Sequence, residues 1–528
     1  MDSPVSVTSG GISIGELGKK NIIIGRPGTG KTTTLSNLIN GYIAEGNRPS
    51  GVAYLTYSRS MATQAKQRFA LDPKSGALVG TFHSVGSKFL GWHAGRKNDE
   101  DNTDFLTERM IEEFCDKLGI QKLSSNRFRT DYDDTEGSDE LSKVISAYDM
   151  VRNRMDGSRP SDYYDSPKFD TDFVVDRFQK LKERTGKHDY TDILEASLEL
   201  DYSGIDLLIV DEAQDLTPLM WTIVNKMGKY ASRTVLAGDD MQSIYSFRGA
   251  SPTDFLMQRK DAKVFHLSKS YRLPEEVRKF SDQIASRVDT TEQVKFESNG
   301  RKGAVYEWPL EDFLSLEGEK WILCRTWFVV QKINRLLTLY NIPFLPLNSQ
   351  HKRFSPWTIE DIELVNALHA WPNLNASQLE EVIKLVPGTM LLRGVKTRVK
   401  NGETSRLMEE HSSGLYGSFD ASHLFKKIPS LEDVLRSLEL RTLKKDLIAP
   451  HIERGLKGED IVRLDTIHAA KGLEGKHVAI VTDLTTRTAV NLATNPSDEH
   501  RVFYTGVTRA SETLSLISVG VGRGSYAL

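Results

Sequence analysis

A glycine-rich segment near the N-terminus has the residue types that bind a nucleoside triphosphate. The segment GRPGTGKT begins at Gly25 and fits the pattern G-x-x-x-x-G-K-[ST]. Its glycines, Gly25, Gly28 and Gly30, allow backbone N–H groups to turn toward phosphate oxygens. Lys31 can reach the β- and γ-phosphates of ATP, and the hydroxyl of Thr32 can bind Mg²⁺.

The neighbouring sequence supports this interpretation. The apolar run NIII at 21–24 precedes the segment, and TTTLSNLINGYIAE follows it with a helical pattern that Gly46 ends. A chance glycine-rich turn would lack both flanking elements. We therefore predict a strand, a phosphate-binding loop and a helix in succession.

A pair of carboxylates follows a second apolar run. DLLIV at 206–210 leads directly into Asp211 and Glu212. We assign Asp211 to Mg²⁺ and Glu212 to activation of the attacking water. An acidic pair that merely opens a surface loop is the ordinary alternative, but the preceding strand and the phosphate loop favour nucleoside triphosphate hydrolysis.

Composition places these motifs in a multi-domain globular protein. The chain has 528 residues, of which 39% are hydrophobic and 27% charged. It contains no apolar run long enough for a membrane span and no secretory signal pattern. Two cysteines, Cys115 and Cys324, favour a reducing, cytoplasmic location. The net charge of −3 leaves nucleic-acid binding open, because local patches make phosphate contacts.

The apolar runs alternate with helical patterns, which is typical of an α/β protein with parallel sheets. These runs lie at 21–24, 52–57, 77–82, 206–210, 234–238, 321–324 and 477–484. Two stretches without them, at about 84–200 and 355–460, are predicted to be insertions. The first includes an acidic run at 99–104, taken as a solvated loop, and a polar tract at 130–139. The second includes a basic, hairpin-like piece at 393–406. Its basic stretch, Arg393–Lys400, contacts duplex DNA or is simply a solvated hairpin.

Four further blocks resemble motifs of superfamily 1 helicases. They are TVLAGDDMQSIYSFRGA (234–250), LSKSYR (267–272), TIHAAKGLEGKHV (466–478) and YTGVTRA (504–510). In their order and spacing the chain resembles the UvrD/Rep family. The resemblance implies two RecA-like parallel-sheet P-loop domains, each interrupted by a mainly helical accessory insertion. We expect the first domain at 1–83 and 201–265, its insertion at 84–200, the second domain at 266–354 and 461–528, and a reduced insertion at 355–460.

The same resemblance implies roles in ATP hydrolysis. Gln242 would sense the γ-phosphate, and Arg272 and Arg509 would reach it from the second domain. Such arginines stabilise transition-state charge only when the cleft closes, which couples hydrolysis to domain movement. Tyr271 would stack on adenine, and Glu474 would approach the ribose.

A second group of residues matches positions where the family holds single-stranded DNA. Aromatic faces stack on any base, so they bind a strand without demanding a sequence. Ordinary core packing is the alternative for the aromatic residues of the SIYSFRG segment. The expected DNA-binding residues are Tyr57, His83, Tyr245 and Phe247, with Arg248 and His468 serving phosphates or holding the aromatic rings.

Two departures from the family bear on nucleotide choice and size. The family usually has a glutamine before the P-loop, whereas the first glutamine here is Gln64. It also commonly has an arginine where this chain has Thr33 beside the nucleotide. We predict relaxed discrimination among ATP, dATP and GTP. The interval from Arg272 to Thr466 is short and the chain ends 19 residues after Arg509, which favours a compact, phage-encoded or defence-associated relative without a fused nuclease.

These features predict an ATP- and Mg²⁺-dependent DNA helicase that moves on single-stranded DNA, 3′ to 5′ by resemblance. Its expected partners are single-stranded DNA, junctions with duplex DNA and a replication or repair protein, but no membrane. A nucleic-acid-sensing ATPase switch that regulates a partner without unwinding is the alternative. A small-molecule kinase is disfavoured, because it leaves the aromatic block and both distal arginines without a role.

Overall fold

The structure is a computed structural model that describes residues 5–8, 11–68, 75–93, 103–120, 140–289, 294–412, 419–520 and 524–527. The polar tract at 130–139 and positions 99–102 of the acidic run lie outside these residues. Within the described part, the architecture is α/β, with two separate parallel sheets and many helices. This agrees with two RecA-like domains that carry helical insertions.

The first sheet has seven strands among the described residues, in the order β1-β7-β2-β6-β5-β3-β4, and every neighbouring pair is parallel. Its central strands are buried over nearly their whole length, as expected for a sheet covered on both faces. The strands are β1 Val5–Val7, β2 Lys20–Gly25, β3 Val52–Thr56, β4 Leu78–Thr81, β5 Leu207–Asp211, β6 Arg233–Gly238 and β7 Lys263–Leu267.

The order of these strands brings distant motifs to one edge. β2 pairs with β6 up to Ile24 opposite Gly238, and β6 pairs with β5. Because the strands are parallel, the segments after β2, β5 and β6 leave from the same carboxyl edge. The P-loop, the Asp211–Glu212 pair and the segment of Gln242 therefore meet there.

The second sheet has six strands among the described residues, ordered β10-β11-β9-β12-β13-β8, again all parallel. Trp321 and Ile322 of its central strand pair with the strands on both sides. The strands are β8 Ala304–Glu307, β9 Lys320–Cys324, β10 Phe344–Leu345, β11 Val462–Thr466, β12 Gly475–Val481 and β13 Ala510–Ile517.

Helices cover the sheets and dominate both long intervals between strands. In the described part of the chain, no helix is long and apolar enough to cross a membrane. The region between β4 and β5 contains α3 Phe82–Leu90, α4 Glu108–Leu118, α5 Glu140–Arg154, α6 Pro160–Tyr163, α7 Thr171–Thr185 and α8 Tyr190–Ala196. The region between β10 and β11 contains α14 Ile359–His369, α15 Ala376–Leu385, α16 Val395–Lys400, α17 Thr404–His411, α18 Leu431–Ser437 and α19 Thr442–Ile448. The remaining helices are α1 Lys31–Ala44, α2 Arg59–Arg68, α9 Pro218–Tyr230, α10 Pro252–Met257, α11 Glu275–Ala285, α12 Leu310–Leu314, α13 Trp327–Leu339, α20 Thr486–Thr494 and α21 Pro496–Val507.

The basic stretch at 393–400 forms α16 from Val395 onward, and α17 follows from Thr404, so the hairpin predicted there is wrong. Gly394 has a φ of 86° and caps the start of α16. Val395 and Val399 lie four residues apart, and both are buried on one face of the helix. Arg398 forms ion pairs with acidic side chains that follow in the chain, including Glu410. The burial of apolar side chains at helical spacing therefore determines the local structure here, and the strand-like alternation of charges does not.

Candidate ATPase and DNA-binding site

The phosphate-binding segment leaves β2 at its carboxyl end and enters α1 directly. Gly28 and Gly30 have φ values of 71° and 83°, in the left-handed region that favours glycine. Gly30 is the N-terminal cap of α1, so the positive end of the helix dipole faces this loop. The Nζ of Lys31 donates to the carbonyl oxygen of Gly25 at 2.7 Å. The loop thus combines backbone N–H groups and an ammonium group, which fits a triphosphate.

A hydroxyl and a carboxylate face each other beside this loop. The Oγ1 of Thr32 lies 3.5 Å from Oδ2 of Asp211, the last residue of β5. The same carboxylate oxygen accepts a hydrogen bond of 2.6 Å from the Tyr54 hydroxyl. Hard oxygen ligands of this kind suit Mg²⁺, which commonly takes one or two protein ligands and completes its shell with phosphate and water. Within the described residues, no group of three or more His, Cys, Asp or Glu side chains could hold a metal. The donor set therefore fits a magnesium ion that binds together with the nucleotide.

The two adjacent carboxyl groups differ in their electrostatics. Burial, reinforced by the charge of Glu212, raises the pKa of Asp211 to about 6. Burial also acts on Glu212, but the positive charges of Lys471 and Lys31 outweigh it and lower the pKa of that carboxyl. The Nε2 of Gln214 donates to Oε2 of Glu212 at 2.6 Å. Glu212 is therefore an ionised carboxylate, fixed in place by Gln214, that can polarise a water molecule.

Gln242 and Arg509 meet across the two sheets. Gln242 ends a short 3₁₀ helix that follows β6, and Arg509 immediately precedes β13. The Nη2 of Arg509 donates to Oε1 of Gln242 at 2.6 Å, and the arginine is only 1% exposed. Burial, together with the charge of Arg272, lowers the pKa of Arg509 to about 9. An arginine that adjoins the second sheet thus contacts Gln242, the residue expected to sense the γ-phosphate.

Tyr271 and Arg272 lie between the P-loop and the second sheet. The backbone N–H of Tyr271 donates to the carbonyl oxygen of Gly28 at 2.8 Å, and Tyr271 is 53% exposed. The Nε of Arg272 donates to Oε2 of Glu474 at 2.5 Å. The structure therefore places the residue expected at the adenine beside the P-loop, and it pairs the arginine with the carboxylate expected at the ribose. Thr33 is exposed on α1.

Five of the six expected DNA-binding residues form an aromatic cluster next to Gln242, whereas the ring of His83 packs edge-on against Tyr190, with centroids 6.3 Å apart. The rings of Tyr57 and Tyr245 are stacked, with centroids 4.8 Å apart. Phe247 and His468 pack edge-on, 5.9 Å apart, and each lies 6.0 Å from Tyr245. The guanidinium of Arg248 lies 5.5 to 5.9 Å from the Tyr57, Tyr245 and Phe247 ring centroids, within the range of cation–π attraction. Both sheets contribute to the cluster, because His468 follows β11.

Exposure distinguishes the members of this cluster. Phe247 is 36% exposed, whereas Tyr245 is half-buried and packs against the core of the second sheet. His468 is buried, with Nε2 3.3 Å from the carbonyl oxygen of Ile244. His83 lies outside this cluster, where burial, with the nearby charges of Arg59 and Arg248, lowers its pKa to about 4. The arrangement leaves Phe247 as the ring most open to a base.

Residues outside the expected set also join these sites. Lys471 donates to Asp215 and, at 2.6 Å, to the carbonyl oxygen of Gln242, and it lies 5.1 Å from the ring centroid of Tyr245. Lys471 lies in the segment TIHAAKGLEGKHV, whose resemblance to a helicase motif was the sequence signal that could have identified this residue. Arg26 occupies a variable position of the P-loop pattern, so its buried ion pairs had no signal in the sequence.

The protein combines two parallel-sheet domains, a P-loop with paired carboxylates on the first domain, and an arginine of the second domain in the cleft between them. This combination defines a two-domain P-loop ATPase. Comparison with known families narrows this class. Residues 11–263 match the UvrD/REP helicase N-terminal domain, and residues 462–517 match the UvrD-like helicase C-terminal domain. The chain belongs to the UvrD/Rep family of superfamily 1 helicases.

Individual relatives agree with this assignment. A probable DNA helicase II homolog of Mycoplasma pneumoniae is 23% identical over 94% of this chain and 82% of its own length. The putative ATP-dependent DNA helicase YjcD of Bacillus subtilis is 21% identical over 96% of this chain and 78% of its own. The ATP-dependent DNA helicase Rep of Escherichia coli is 26% identical over 48% of this chain and 39% of its own. The similarity to the first two relatives extends through both sheets and both helical regions.

Proposed function

We propose that this ATP-dependent DNA helicase moves along single-stranded DNA in the 3′-to-5′ direction and unwinds the duplex that it meets. One observation carries the proposal: the segment after β6 holds Gln242 at the ATPase cleft and Tyr245 in the aromatic cluster. Only two residues separate them, so a movement of Gln242 on hydrolysis is passed to the DNA grip.

In this proposal the P-loop and Lys31 bind the triphosphate of ATP. Thr32 and Asp211 would hold Mg²⁺, which would neutralise phosphate charge when bound. Glu212 accepts a proton from the attacking water as the water oxygen bonds to the γ-phosphorus and the bond to the β–γ bridging oxygen breaks, so that ADP leaves. Arg509 stabilises the charge that develops on the transferred phosphoryl group.

Arg272 has a related role that requires a change of partner. It is paired with Glu474, whose side chain is 57% exposed. A bound triphosphate offers a stronger anionic partner than one exposed carboxylate, so we propose that Arg272 turns to the phosphates when the cleft closes. Glu474 is then left to the ribose and Tyr271 to the base.

The DNA path runs over the aromatic cluster. Phe247 and Tyr245 stack on bases, while Arg248 holds the rings and contacts phosphates. Tyr57 and His83 line the first-sheet side of this path, and His468 supports it from the second sheet. The substrate in this proposal is a junction of single- and double-stranded DNA formed during replication, repair or recombination, where a protein partner recruits the enzyme. We also place the enzyme in the cytoplasm, a reducing compartment that suits a chain with only two cysteines, Cys115 and Cys324.

The test is strand displacement by the purified chain on matched duplexes with a 3′ or a 5′ single-stranded tail, in ATP and Mg²⁺. We expect unwinding from the 3′ tail alone. The Lys31→Ala variant is the control: it should lose ATP hydrolysis and unwinding but keep measurable binding to single-stranded DNA, since Lys31 lies at the phosphate site.

The other outcomes have defined meanings. Unwinding from the 5′ tail alone would keep the motor and reverse its direction. DNA-stimulated hydrolysis without displacement from either tail would favour the ATPase switch, and restoration of displacement by a partner would identify what it regulates. DNA-stimulated hydrolysis retained in Lys31→Ala would contradict the assignment of the phosphate site.

A further inference from the structure

Arg26, the second residue of GRPGTGKT, forms a buried ionic contact with the segment after β6. Its Nη1 donates to Oδ1 of Asp239 at 2.6 Å and to Oδ1 of Asp240 at 2.7 Å. Arg26 is 4% exposed, and both carboxylates are fully buried. Burying three charged groups is costly unless each is well paired, so this contact strongly constrains the geometry of the two segments.

One of the two carboxylates passes this constraint to Gln242. The Oδ2 of Asp239 accepts a hydrogen bond of 2.6 Å from Nε2 of Gln242. An amide side chain has a donor end and an acceptor end. Because Asp239 holds the donor end, the acceptor oxygen of Gln242 must face the other way, where it meets Nη2 of Arg509.

A second branch from Asp239 reaches the carboxylate expected to activate water. The backbone N–H of Asp239 donates to Oε1 of Gln214 at 2.9 Å, and Nε2 of Gln214 donates to Oε2 of Glu212 at 2.6 Å. The amide of Gln214 is oriented in the same way as that of Gln242, because its donor end and its acceptor end each have one partner. Asp239 is therefore common to the supports of both Gln242 and Glu212.

We propose that Arg26 is a positioning residue for ATP hydrolysis, which fixes Asp239 and thereby aligns Gln242 with Arg509 across the cleft. The inference rests on the proposed roles of Gln242 and Arg509. Arg26 belongs to the loop that binds the triphosphate, so a shift of this loop on ATP binding moves the sensor as well. Its guanidinium is turned to the buried carboxylates, so it acts through Asp239.

The test is a double-mutant cycle on single-stranded-DNA-stimulated ATPase. Arg26→Gln should lower kcat about ten- to a hundredfold, the usual loss when a supporting contact is removed, with KM for ATP changed less than about threefold. In a Gln242→Ala background the same substitution should lower kcat clearly less than in the parent chain, because Gln242, one of the two groups that Asp239 supports, is already absent.

Two further variants separate positioning from folding. Arg26→Lys keeps the charge and should recover part of kcat. Arg26→Gln combined with Asp240→Asn leaves one fewer buried charge, and it should fold more stably than Arg26→Gln while keeping the low kcat. Recovery of kcat along with stability in this variant would show that Arg26 serves only the fold.

Arg152 offers a matched control in the helical region between β4 and β5. Its side chain is 8% exposed and pairs with Asp189 and Asp192, each 17% exposed, so Arg152→Gln breaks a partly buried ionic contact. We expect it to lower the thermal midpoint without a kcat effect that depends on Gln242. Equal loss of kcat from Arg26→Gln in both backgrounds would overturn the inference alone. An unchanged kcat in Gln242→Ala would overturn the sensor role in the proposed function, and the inference with it.

Discussion

The Nη2 of Arg509 donates a hydrogen bond of 2.6 Å to Oε1 of Gln242, although the two residues adjoin strands of different sheets and lie 267 positions apart. Arg509 is almost fully buried there, and burial lowers its pKa to about 9. A neutral amide compensates little of the cost of burying this charge. We expect a triphosphate in the cleft to add to the negative charges of Glu212, Asp239 and Glu474 that already act on Arg509, so that ATP binding affects this contact electrostatically.

Replacing Arg509 by alanine should remove most of the electrostatic stabilisation that this side chain gives to ATP hydrolysis. We expect kcat for DNA-stimulated ATPase to fall about 10³-fold, the lower range for arginines that stabilise transferred phosphoryl groups. Nucleotide-free binding to single-stranded DNA should persist, because Arg509 lies outside the aromatic cluster. Arg436→Ala, an exposed arginine on α18, is the control and should leave kcat unchanged. A loss below tenfold for Arg509→Ala would contradict its role at the γ-phosphate.

The two central aromatic residues of the DNA path should respond differently to alanine. Phe247→Ala should weaken binding to oligo-dT about 5- to 100-fold, the effect of one lost base stack, with little change in thermal midpoint. Tyr245→Ala should weaken binding and also lower the midpoint, since this ring packs against the core. Fluorescence anisotropy and thermal unfolding measure the two effects.

The exposed Phe173 on α7 is the matched control for these substitutions. Phe173→Ala should change neither DNA affinity nor the midpoint appreciably. If Phe247→Ala binds DNA as tightly as the parent chain, the cluster serves packing alone.

Nucleotide choice should be relaxed. Tyr271 is half-exposed beside the P-loop, Thr33 is short and exposed, and an exposed aromatic face stacks on any base. We expect kcat/KM for dATP and GTP to lie within about tenfold of the value for ATP, because large discrimination requires hydrogen bonds to the base edge. Steady-state ATPase assays with the three nucleotides measure this ratio. A preference for ATP above a hundredfold would reveal an adenine contact elsewhere.

His83 should make stability depend on pH. Burial lowers its pKa to about 4, whereas an unfolded histidine titrates near pH 6.5. Between these values the unfolded chain binds a proton that the folded protein does not, so acidification through this window favours unfolding. The thermal midpoint should therefore fall between pH 7 and pH 5, and His83→Gln should reduce that fall. An identical slope in the variant would show that His83 is accessible to protons in the folded state.

Local patterns predicted much of this protein. The runs 21–24, 52–57 and 206–210 are strands, because continuous β-branched and apolar residues suit a sheet buried on both faces. The P-loop and the Asp211–Glu212 pair were recognisable because each function occupies consecutive residues at a strand end. The hairpin prediction at 393–400 was wrong, because the alternating basic residues made the helical spacing of Val395 and Val399 difficult to recognise.

The class of protein, the phosphate loop, its carboxylates and the aromatic segment were predictable from the sequence, since each is a short pattern of neighbouring residues. The partners of these residues were not predictable in this way, because they come from distant parts of the chain. Arg26 meets Asp239 across 213 positions, and Lys471 meets Asp215 across 256. Such pairs depend on the order of strands in a sheet and on how the second sheet faces the first. Those arrangements are set by burial summed over the whole chain, so no single stretch of residues encodes them.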